Sequence, residues 1–158
     1  MLDAQSNLAS TYKACGQIER SLQMHREVYF GYLEAFGEEH KSTITTASNY
    51  AITLCELERY AETKAVLRKM MPVAQRFLGE NNYLTLKMRG IHATVLYMNT
   101  DATLDDLREA VTTLEDSERT ARRILGSSHP TAAQFEHHLR NSRDALRARE
   151  DGRSIKFV

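Results

Sequence analysis

Apolar residues recur along this chain at spacings of three and four, the period of an α-helix with one buried face. Between Ser42 and Leu57, for example, Ile44, Ala47, Ala51 and Leu54 share one side of a helical projection. Strand alternation and hairpin dipeptides are absent, and the whole chain holds two prolines and seven glycines. The pattern predicts an all-α protein.

The stretches repeat. Phe36-Gly37, Leu78-Gly79 and Leu125-Gly126 close three of them, 42 and then 47 residues apart. At a shift of 42, Leu2, Ile44 and Leu86 align, as do Ala9, Ala51 and Ala93, and Tyr12, Leu54 and Leu96. The small residues Ser6, Ser48 and Gly90 form another column, Asn7 aligns with Asn49, and Thr43 with Thr85. Matching columns at a fixed period predict stacked copies of one supersecondary unit. Each unit reads as two helices, A and B. Helix A starts at about Leu2, Ser42 and Tyr83, ending near Leu57 and Met98 in the last two; helix B spans about Ile18–Phe36, Tyr60–Leu78 and Leu104–Leu125. A closing helix follows Pro130 and ends near Arg149, which makes about seven helices.

Boundary chemistry supports these limits. Gly79 is expected to end its helix in a left-handed conformation, which a Cβ would disfavour. Thr103, three residues before Asp106, is an expected N-cap, and His40 and His129 recur where the next helix A begins. Pro72 removes one ladder bond from its helix and should bend it. Ala51 and Ala93 should lie at close helix contacts. The domain reading is one solenoid over 1–149, with repeats at 2–42, 43–84 and 85–130, a closing helix at 131–149 and a tail at 150–158.

Ser6-Asn7-Leu8-Ala9 with Tyr12 and Gly16, and Ser48-Asn49-Tyr50-Ala51 with Arg59-Tyr60, carry a resemblance. So do Phe36-Gly37 running to His40 and Thr43, and Leu125-Gly126 running to His129-Pro130. Over about residues 2–131 the chain resembles the tetratricopeptide repeat, in the long 42-residue form of kinesin light chains. It departs from that pattern at Ile91 in place of asparagine, at Asn82-Tyr83 in place of His-Pro, and in lacking a turn glycine in the third unit. The heptad region that joins a kinesin light chain to its motor is absent, so that whole-protein role is not implied. Met1 falls at the start of a helix A, which suits a short array or part of a longer one.

The resemblance implies a right-handed α-solenoid whose concave face, lined by A helices, binds peptide segments. The A-helix positions not used for packing are Asp3, Ser6, Asn7, Ser10 and Lys13, then Thr45, Ser48, Asn49, Ile52 and Glu56, then Lys87, Gly90, Ile91, Thr94 and Tyr97. The carboxamides of Asn7 and Asn49 can donate to and accept from a peptide backbone, or instead cap backbone groups between hairpins. A clamp for a C-terminal carboxylate, built from Lys13, Asn49, Lys87 and Arg89, is disfavoured by Ile91 where a further basic side chain is needed.

Charge and composition narrow the reading further. With 21 Lys+Arg against 21 Asp+Glu there is no global field for nucleic acid. No apolar run reaches transmembrane length, and the N-terminus lacks the regions of a signal peptide. Cys15 and Cys55 both sit in apolar-patterned segments and read as buried thiols of a reducing, cytoplasmic compartment. Adjacent His137 and His138 point about 100° apart, so with His129 and Glu136 they do not converge on a metal. The arginines at 140, 143, 147 and 149 alternate with Asp144 and Glu150 and read as a solvated outer face. No cofactor motif and no catalytic constellation occurs. The expectation is a non-catalytic scaffold or adaptor holding a protein or peptide partner. The alternative is a structural subunit packed permanently in a larger assembly or homo-oligomer.

Overall fold

The computed structural model describes residues 1–152 of the 158; the tail sequence from 153 onward, with Ile155 and Phe157, lies outside the described residues. Seven helices follow one another: α1 (Leu2–Ala14), α2 (Ile18–Phe36), α3 (Lys41–Glu56), α4 (Tyr60–Leu78), α5 (Tyr83–Met98), α6 (Leu104–Leu125) and α7 (Pro130–Glu150). Described residues are 83% helical, and none forms a strand. Relative to the sequence reading, α3 is displaced by one residue at each end, because His40 caps it and Glu58 has already turned.

The chain divides into two compact units, Met1–Thr85 and Leu86 onward. In the first, α2 packs against both α1 and α3, and α3 against α4. Ala9, Val28, Ile44, Ala47, Ala51, Leu54, Leu67 and Met70 retain no exposed surface. Burying a side chain such as Leu54 contributes about 1.5–3 kcal/mol relative to leaving it in water. A polar tie repeats with the period: Thr43 Oγ1 donates to the Tyr32 carbonyl, and Thr85 Oγ1 to the Ala74 carbonyl, each at 3.3 Å. In the second unit, Leu86, Ala93, Leu96, Leu107, Leu114, Ala132, Phe135 and Leu139 belong to one buried cluster.

The helix starts show how the repeat tolerates substitution. His40 Nδ1 accepts from the Ser42 N–H at 3.3 Å, and His129 Nδ1 from the Thr131 N–H at 3.2 Å. Asn82, which replaces histidine in the remaining copy, accepts from the Leu84 N–H through Oδ1 at 2.9 Å. Thr103 and Asp106 form a capping box, Thr103 Oγ1 accepting from the Asp106 N–H at 3.1 Å and Asp106 Oδ2 from the Thr103 N–H at 2.8 Å.

The helix ends correct one expectation. Gly37, Gly79 and Gly126 have φ of 78°, 92° and 93° but ψ of −175°, 160° and 154°. They are extended with positive φ rather than left-handed helical, a region open essentially to glycine alone. The chain leaves each B helix straight toward the next cap. At the tight turn inside each early hairpin, Gly16 (φ 75°) and Glu58 (φ 57°) occupy equivalent places. The following N–H, of Gln17 or Arg59, donates to the Tyr12 or Leu54 carbonyl at 2.9 Å in both. Glu58 holds that geometry at a cost of roughly 1–2 kcal/mol. The helix α4 continues through Pro72, which lies on its exposed side.

The closing helix differs from its predecessors on one face. By the repeat register, Ala47, Ala51 and Leu54 of α3 correspond to Glu136, Arg140 and Arg143 of α7. The first set is buried and the second exposed. Charged side chains thus stand on α7 where α3 carries buried Ala and Leu.

Candidate functional site

On α3, ten of sixteen residues are buried. Beyond its first two residues, those left accessible are Thr45, Asn49, Ile52 and Glu56, a single stripe at spacings of four, three and four. Beside it α1 leaves Asn7 and Ser10 exposed and Lys13 half-buried. The two helices meet across this face, where Lys13 Nζ lies 2.6 Å from Glu56 Oε1 with side-chain exposures of 33% and 39%. Such a solvated pair contributes under about 1 kcal/mol and can be displaced by a ligand. Ser10 and Thr45 turn their hydroxyls back onto the carbonyls of Ser6 and Lys41, at 3.1 and 2.8 Å. Asp3 accepts a short hydrogen bond from the Tyr32 hydroxyl and so serves packing as well.

The third A helix does not repeat this face. Lys87 remains half-buried, but Ile91 and Thr94 are each 8% exposed and Tyr97 only 2%. The Tyr97 hydroxyl and His138 Nδ1 share a 2.8 Å hydrogen bond, which places Tyr97 in the α5–α7 contact and not on an open surface. At the 42-residue shift Tyr97 falls on Cys55, also buried, whereas the counterpart of Glu56 is the accessible Met98. The register contained that information. Ser48 and Gly90 are buried too and belong to packing.

His138 is held below the ordinary histidine range by burial and, secondarily, by the charge of His137. Neutral imidazole is therefore favoured in the folded protein, and the unfolded chain takes up the proton first as pH falls. Stability should be full above the unfolded value near 6.5 and should decline as pH drops through the lowered folded value. We expect thermal melts between pH 7.5 and 5 to show this decline, and His138→Gln to flatten it. An unchanged slope in that variant would assign the effect elsewhere.

A cleft that the sequence reading does not contain lies on the first unit. Its volume is about 700 Å³, and α2 supplies Glu19, Leu22, Gln23, Arg26 and Phe30, with Tyr50, Leu57, Arg59 and Glu62 opposite. Arg59 is engaged in a two-pronged pair with Glu62, at 2.7 and 2.8 Å. Arg26 instead stands over the ring of Phe30, 5.9 Å from its centroid, and Phe30 is 49% exposed. Periodicity alone treats these positions as the back of helix B, since only tertiary packing opens the space between α2 and the start of α4.

The remaining clusters resolve into structural parts. Cys15 is exposed, contrary to the expectation of two buried thiols, because the apolar pattern of α1 ends before it; both cysteines are free. Burial raises the Cys55 thiol to about 11, which leaves it unreactive. No group of three His, Cys, Asp or Glu among the described residues could hold a metal ion. Arg143 pairs with Glu115 at 2.6 Å, and Arg149 donates to the Thr100 carbonyl at 3.3 Å, so part of the basic set on α7 fastens that helix. No described helix is long and apolar enough to cross a membrane.

Comparison with known proteins agrees with this architecture. Residues 1–41 match the family model of the tetratricopeptide repeat. No curated protein matches the sequence. Among solved structures, one from Podosopora anserina, described as a kinesin light chain with nearly identical TPR-like repeats, superposes with a TM-score of 0.79 at 20% identity, covering 95% of this chain and 69% of that one. A single-substitution variant of it gives 0.51 at 16% identity, over 95% and 88%. The chain thus has an all-α repeat fold similar to that of these TPR-like repeat structures.

Proposed function

We propose that the chain is a non-catalytic adaptor that takes a peptide segment of a partner along the α1–α3 face. The carrying observation is the single stripe Thr45, Asn49, Ile52 and Glu56 that burial spares on α3, bordered by Asn7, Ser10 and Lys13. These side chains offer amide and hydroxyl groups, one displaceable ion pair and an apolar contact, which suits recognition of backbone plus one small pocket. Tetratricopeptide repeats generally mediate protein–protein interaction, which supports the same reading. Near-zero net charge further implies modest salt dependence of binding.

A test begins with the bound segment, identified by pull-down and cross-linking mass spectrometry. Asn49→Ala should then weaken its binding about two- to tenfold, equivalent to 0.5–1.5 kcal/mol for each hydrogen bond lost. Affinity left intact alongside a stability loss above about 1 kcal/mol would instead assign Asn49 to packing.

A second reading, a structural subunit, draws on a different observation. Phe36, Phe77 and Ile124, near the C-terminal ends of the three B helices, are 56%, 48% and 45% exposed. Apolar side chains left in water suit a permanent contact. Light scattering across a dilution series separates the two, since an assembly that survives dilution favours the subunit.

A further inference from the structure

We propose that the cleft between α2 and the start of α4 is a second peptide site, for an extended segment that carries an acidic residue beside an apolar one. Two polar groups line it, one with no ion pair and one with no hydrogen bond among the described residues. Arg26 has no carboxylate within ion-pair distance among the described residues, its contact being the Phe30 ring. Tyr50 is 7% exposed and lines the same cleft, yet its hydroxyl makes no hydrogen bond within the described residues. Burial, and then the charge of Glu62, raise the Tyr50 phenol, so near neutral pH it remains an O–H donor. A guanidinium and a phenol facing one space are both donors, and the ligand group that satisfies both is a carboxylate.

The other walls set the rest of the ligand. Leu22, Leu57 and the exposed ring of Phe30 give an apolar surface for a neighbouring side chain. Arg59 does not compete for the acid, since Glu62 already holds both prongs of its guanidinium. Glu19 lies two helical turns before Arg26, about 10 Å along α2 at 1.5 Å per residue. An extended peptide covers that in about three residues. A basic residue three positions from the acidic one therefore completes the charge match. The site does not depend on the α1–α3 face, which offers amides and a closed ion pair instead.

The experiment is selection of a displayed random-peptide library on the full chain, followed by affinity measurement of the selected peptides on variants. One peptide class is expected to share an acidic residue next to an apolar one, with a basic residue about three positions away. Arg26→Glu should weaken that class tenfold or more, and Tyr50→Phe, which keeps the ring, about two- to tenfold. The class should be insensitive to Asn49→Ala, whereas peptides of the α1–α3 face should respond to Asn49→Ala alone. Circular dichroism melts of the variants confirm that they remain folded. Failure to select a class that depends on both Arg26 and Tyr50 overturns the proposal, whether peptides of other dependence appear or none does.

Discussion

Replacing Tyr97 with Ala is expected to destabilise the second unit by about 3–5 kcal/mol, the usual cost of removing a fully packed aromatic side chain. The ring is 2% exposed within the cluster formed by Leu96, Leu107, Leu114 and Phe135. Its loss would also deprive half-buried His138 of the 2.8 Å hydrogen bond. Total stabilities of about 5–15 kcal/mol make this a large fraction of what holds the fold. Tyr97→Phe keeps the ring and should cost only about 0.5–1.5 kcal/mol, the worth of the hydrogen bond. Urea titrations of both variants check the difference. If Tyr97→Ala melted like the parent chain and lost partner affinity instead, the tyrosine would be a binding residue after all.

Gly90→Leu should cost about 1–3 kcal/mol or somewhat more, through overpacking. A Cβ at this position would lie 2.6 Å from Phe135 Cε1, and that ring is 5% exposed with little room to swing. The sign of Gly90→Ala is more telling. In a helix interior this change ordinarily stabilises by about 0.5–1 kcal/mol, but here the collision should reverse it. Gly31 provides the control, because its added Cβ would meet the tip of half-buried Leu2 at 2.9 Å, a side chain free to shift. Pairing Gly90→Ala with Phe135→Leu should recover stability. A raised melting temperature for Gly90→Ala alone would show that α5 and α7 do not approach as closely as described.

Both predictions concern a contact that only part of the sequence signal reaches. Although the structure buries Ser48 and Gly90, the sequence assigns the small column Ser6, Ser48 and Gly90 to the open face. It does not say which side chain covers Gly90. Likewise the sequence places Thr45, Asn49, Ile52 and Glu56 on the open side of α3 but puts Ser48 with them, which the structure buries. The same reading fails on α5. There Ile91 and Thr94 are apolar or weakly polar, and nothing local separates a groove residue from a covered one.

What the sequence determined by itself is what lies within a few residues. Helical period, the glycines at positive φ after each B helix, the caps at His40, Thr103 and His129, and the 42-residue register are all local or periodic. Local backbone chemistry and repetition therefore set seven helices and their ends. Tertiary structure alone decided which side chains remain open. Arg26, Phe30 and Tyr50 share a cleft because α2, α3 and α4 pack at one particular separation, and Tyr97 is closed off because α7 covers it. Burial is a sum over neighbours far apart in the chain, so no single helix encodes it.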